Sequence, residues 1–181
     1  MSDLADMVAP ISSEYPTLAS HLKNFALQWG DPARNPGGGS IEFYPPWESE
    51  NPNPGRPTIE VFDRNLQGPA LQKAIYGDSL HHLGGTDEHG TPVDPHFHSM
   101  KQDLIKSLTP EQLAVDQRAY DRAKGHGDGR SFDDWMQDSR GDAYVRGLLA
   151  PDANDEWKDV YTPDQRKTLA DMFFYLKGQP L

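Results

Sequence analysis

Proline and glycine set the limits on what this chain can fold into. Sixteen of each stand in 181 residues, and most of them fall between apolar runs, so the elements must be short. Proline lacks the backbone donor that helices and sheets use, and glycine turns where other residues resist. Pro36-Gly37-Gly38-Gly39-Ser40 reads as a flexible loop, and Pro45-Pro46 ends an apolar alternation. Residues 47–57, crowded with Pro, Asn and Gly, read as an exposed connection. Pro69, Pro110 and Pro163 each stand where a first helical turn is expected, a position that needs no N–H.

Between these breaks the spacing of apolar residues names the elements. Leu18, Leu22, Phe25, Ala26 and Trp29 predict a first helix, stopped by Gly30-Asp31-Pro32. Ile41-Glu42-Phe43-Tyr44 and Ile59-Glu60-Val61-Phe62 alternate, and predict two short strands paired as a long-looped hairpin. Ala70, Leu71, Ala74, Ile75, Leu80 and Leu83 predict a helix over residues 69–83. Further helices are predicted over 95–108, from Thr109, over 131–149, and from Thr162 to a stop at Gly178. Thr109-Pro110-Glu111-Gln112 and Thr162-Pro163-Asp164-Gln165 open their helices with the same chemistry. The fold class is therefore α+β and helix-dominated, with two short strands in a small sheet packed against a helical bundle. Residues 1–108 are expected to form an α+β core, and 109–181 a helical extension packed on it as one compact body.

Composition narrows the functions. Only 35% of residues are hydrophobic and mean hydropathy is -0.77, so a modest core is expected, with surface left for a partner. A net charge of -11 disfavours nucleic acid and anionic membranes, both of which select basic faces. The absence of cysteine removes disulfides, thiolate metal sites and thiol catalysis. The N-terminal residues read as neither signal peptide nor membrane span, so a cytoplasmic site of synthesis is expected. No phosphate-binding loop and no Gly-x-Ser-x-Gly elbow is present.

Chemistry concentrates in one place. Five of the seven histidines fall between residues 81 and 98. Asp78 precedes His81 by three residues and His82 by four, so either pair shares a helix face. Imidazole and carboxylate both bind zinc-type metals, and His96 or His98 on the following loop could complete a set. Such a metal would acidify a water, with Glu60 or Glu88 as base, although no spacing selects either. The plainer alternative puts His81 and His82 at a frayed helix end, where imidazolium favours the dipole and Asp78 pairs locally. Arg140, Asp142 and Arg146 on the helix opened by Ser131 could hold a carboxylate, or form an ordinary surface ion pair. Trp47, in Tyr44-Pro45-Pro46-Trp47-Glu48, could dock a partner or cover a core edge. Trp135 and Trp157 read as core or capping residues.

A strand followed by a helix bearing Gly77-Asp78-Ser79-Leu80-His81-His82 resembles the site of zinc metallopeptidases, whose helix reads His-Glu-x-x-His. Aligned on His81, Gly77 stands where the first histidine belongs and Asp78 where the glutamate belongs. Over roughly residues 1–110 the element order resembles the minimal zincin-like domains of bacteriophage and mobile-element proteins. The Trp47 loop and the helices opened by Thr109 and Ser131 resemble tailed-phage proteins. The resemblance implies a zincin-like core, with Asp138 or Asp142 able to supply a third ligand. The departure at position 77 implies a lost or rebuilt site.

Three functions follow as expectations. The first is a virion-associated structural or assembly protein of a phage, on a decayed metallopeptidase scaffold. It would bind other phage structural proteins or itself, without metal, in the host cytoplasm and then the virion. The second is a metal-dependent hydrolase of peptides or cell walls, with zinc and Asp78 at an atypical site. The third is an acidic inhibitor of a host protein.

Overall fold

The computed structural model describes Leu4, Asp6 and residues 13–35, 38–127, 129–137 and 161–179. Helix dominates, at 54%, and a small three-stranded sheet packs against helices, an α+β fold. Contacts divide the chain into two units, residues 1–82 with 174–181, and residues 83–173.

The first unit opens with helix α1 (Pro16–Leu22), which has proline in its first turn and buries Leu18 and Leu22. The helix expected to run on to Trp29 stops there. Asn24 and Phe25 donate back to His21 and Leu22 in a turn, and Ala26–Trp29 is strand β1. Phe25, Leu27 and Trp29 alternate as well as Phe25, Ala26 and Trp29 fit a helix. The central strand settles the matter by offering a full ladder of hydrogen bonds. Strand β2 (Ile41–Tyr44) and strand β3 (Thr58–Val61) follow. The sheet order is β1-β3-β2, with β3 parallel to β1 and antiparallel to β2. The expected β2–β3 pairing is present, and β1 adds a third strand. Gly30 closes β1 against the sheet. Its N–H donates to the Val61 carbonyl, and a Cβ there would stand 2.3 Å from the Phe62 ring.

Strand pleating sorts the side chains onto two faces. Register places Leu27, Trp29, Ile41, Phe43, Ile59 and Val61 on one face, and Gln28, Glu42, Tyr44, Thr58 and Glu60 on the other. All four residues of β3 are buried, so its polar face is covered too. The cover is the connection of residues 45–57, which is more tightly held than its composition suggests. Asn51, 4% exposed, donates to the carbonyls of Pro45 and Arg56. Asn53 donates to Gln28 Oε1 and Thr58 Oγ1. The Arg56 guanidinium donates to the carbonyls of Asn24 and Phe25. Helix α2 (Gly68–Gly84) then carries the Asp78, His81 and His82 run, with Leu71, Ile75, Tyr76 and Leu80 buried.

The second unit is helical. It contains α3 (Pro95–Lys106), α4 (Pro110–Gly125), α5 (Phe132–Trp135), and most of α6 (Pro163–Leu176). Leu104, Leu108, Tyr120, Trp135, Met136 and Leu169 form its core, each large side chain contributing about 1.5–3 kcal/mol on burial. Trp135 is thus a core residue, and Trp157 lies outside the described residues. The two Thr-Pro-x-Gln openings interlock. Gln112 and Gln165 each accept from the N–H of their own N-cap threonine. Their amides also bond each other reciprocally at 2.9 and 2.8 Å. Gln165 donates further to the Ser107 carbonyl. Both glutamines are buried, and the network satisfies what burial would otherwise leave open.

Candidate functional site

Helix α2 and helix α1 bring histidines together. His82 Nδ1 lies 3.0 Å from His21 Nε2, so one ring donates and the other accepts. The two rings stack with centroids 5.0 Å apart. Phe25 stands edge-on to both, at 5.2 Å from each. Phe43 stands edge-on to His82 and His81, at 5.4 and 5.9 Å. Burial, then the neighbouring His21 and His81, push the His82 pKa down to about 4. Burial thus favours the uncharged ring, and the last-turn position expected of His81 and His82 is where the helix places them. Gly77 is buried in α2 and Asp78 is half-buried one turn before the histidines. His21 escaped the sequence reading because its partner is distant in the chain. One sign was available: His21 lies on the same stripe as Leu18, Leu22 and Phe25.

The other candidate ligands lie in the second unit. Asp87 Oδ1 accepts from the N–H groups of His89 and Thr91, which turns the loop. His89 reaches Glu88 at 3.6 Å, and both are exposed. Asp94 caps α3. His96 is exposed, and His98 donates from Nδ1 to the Gly84 carbonyl at 2.7 Å. Among the described residues no three of His, Asp and Glu are arranged to hold a metal ion. His21 and His82 would supply two imidazoles, one fewer than the three protein ligands of a catalytic zinc. Asp138, Arg140, Asp142 and Arg146 lie outside the described residues.

The polar face of the sheet carries a second constellation. Glu60 is 1% exposed, at the centre of the middle strand. Its Oε1 accepts from Gln28 Nε2 at 2.8 Å and takes one long contact from Arg34 at 3.4 Å. Its Oε2 is buried with no hydrogen-bond partner. Glu42 is its direct neighbour across the β2–β3 pairing and accepts from the Tyr44 hydroxyl. Burial, then Glu42 and Glu60, push the Tyr44 hydroxyl pKa up. Burial, then Glu50 and Glu42, raise that of Glu48. Carboxylates therefore crowd this end of the loop, with Arg34 among them. The second nitrogen of Arg34 donates to the Glu50 carbonyl. Trp47, beside Glu48 on the same loop, is 43% exposed.

The chain matches no protein-family model, no curated protein sequence and no solved structure. No helix among the described residues is long and apolar enough to cross a membrane.

Proposed function

We propose that the chain is a phage-encoded, virion-associated assembly protein that docks a partner through the Trp47 loop. The observation that carries the docking role is an exposed indole on a loop held in place from within. Trp47 is 43% exposed, while Asn51, Asn53 and Arg56 tie residues 45–57 to the sheet and to the turn before β1. An aromatic side chain on a pre-ordered loop binds without a large ordering cost, and tryptophan is enriched at the centres of interfaces. The acidic surround of Glu42, Glu48 and Glu50 favours a cationic partner surface. The phage origin rests on the resemblance in element order and in the Trp47 loop. Mass spectrometry of purified particles from the encoding phage tests this reading. The protein is expected among the virion components, and its absence would overturn the virion role.

A second reading, a metal-dependent hydrolase, is favoured by the His21–His82 pair. An imidazole held neutral is ready to ligate a metal at physiological pH. Metal analysis of the untagged protein, beside His21→Ala/His82→Ala, separates the two readings. Stoichiometric zinc lost in the double variant would support the hydrolase, and no zinc after growth in zinc-supplemented medium would remove it.

A further inference from the structure

Glu60 is costly where it stands. Its strand neighbours Ile59 and Val61 show what the centre of a small sheet ordinarily holds. A carboxylate there needs donors on both oxygens, and Oε2 has none. Carboxylates and guanidinium groups usually pair through two parallel bonds that use both oxygens. Arg34 does not do this. One of its nitrogens reaches Oε1 at 3.4 Å and the other turns to the Glu50 carbonyl at 3.1 Å. Its side chain is 41% exposed, so Arg34 is a loosely held outer member of the site. Glu42 is exposed on the same sheet face, and Glu48 interacts with both Glu42 and Glu50. Trp47 adjoins Glu48, and an indole face attracts cations.

We propose that Glu60, with Glu42 opposite it on the same sheet face, receives an arginine side chain of the partner protein that docks on the Trp47 loop. The inference rests on the docking role of the Trp47 loop and adds the chemistry of what docks. A guanidinium supplies several donors in one plane, enough for Glu60 Oε2 and the Glu42 carboxylate together. It enters as Arg34 swings out. A divalent ion suits the site less well, because the described residues gather no third acidic or histidine ligand there and Arg34 would repel it.

The test is a nuclear magnetic resonance titration of the full chain with acetyl-Gly-Arg-Gly-amide, and with the same peptide carrying neutral citrulline. Saturable shifts are expected at the Trp47 indole N–H and the Gln28 and Asn53 side-chain amides. The citrulline peptide should bind roughly tenfold more weakly or worse. Glu60→Gln should abolish the arginine preference. Arg34→Ala, which removes the competing guanidinium and leaves Glu60 in place, should tighten binding several-fold. Equal binding of the two peptides, no binding of either, or an Arg34→Ala variant that binds no better would each overturn the arginine pocket. Docking through Trp47 is read separately, by crosslinking from that position, so it can survive the loss of the arginine pocket.

Discussion

At the scale of single residues, burial decides what a side chain can do. His82 shows this best. Its pKa is pushed down to about 4 by burial and by His21 and His81, while an unfolded histidine titrates near 6.5. The unfolded chain therefore binds more protons than the folded one between those values. Stability from this group is fully present above about pH 6.5 and is lost as pH falls toward 4. Allowing for partial exposure of the ring, the loss is on the order of 2 kcal/mol. Urea unfolding from pH 7.5 to 4.5 should show this decline, and His82→Leu should flatten it. An unchanged slope in the variant would contradict the assignment. Position in sequence marked His81 and His82 as notable, but it could not show that their partners are His21 and two phenylalanines. Glu60 could be named only as one of two bases, because nothing in a strand's alternation distinguishes a half-covered face from a buried one.

At the scale of elements, local chemistry was legible wherever it is self-contained. Thr109, Thr162 and Ser131 open helices as their side chains require, and Gly178 closes α6. Its φ of +67° allows the paired bonds from Gly178 to Tyr175 and from Gln179 to Phe174. Legibility ended where an element depends on a distant one. Ala26–Trp29 fits helical spacing, and only pairing with β3 makes it a strand. Likewise, the repeated Thr-Pro-x-Gln openings read as separate caps, and the structure joins them through Gln112 and Gln165. Each glutamine satisfies the other, so Gln112→Ala or Gln165→Ala should destabilise by about 2–3 kcal/mol, the cost of stranding a buried amide. The double variant should cost clearly less than the sum, with a coupling of about 1–2 kcal/mol in a urea double-mutant cycle. Additive losses would mean that the caps act independently.

At the scale of the whole molecule, the α+β class and the dominance of helix follow from composition and spacing, and the structure has both. The third strand and the buried, half-satisfied Glu60 on the polar sheet face did not follow, because both arise from long-range pairing. The negative charge now has a local meaning as well as a global one. It gathers Glu42, Glu48, Glu50 and Glu60 around the 45–57 loop, and the proposed docking of a cationic partner would draw on it. Such an association should weaken as salt rises from 50 to 500 mM, since screening shortens to about 4 Å near the upper value. Placing a photo-crosslinking benzoylphenylalanine at position 47, within assembled particles, tests the docking role most directly. Position 113 serves as control, because Leu113 is also an exposed hydrophobic, at 38%. One dominant adduct to a virion protein from position 47, and none from position 113, is the expected result. No adduct from position 47, or the same adducts from both positions, would contradict docking through the Trp47 loop.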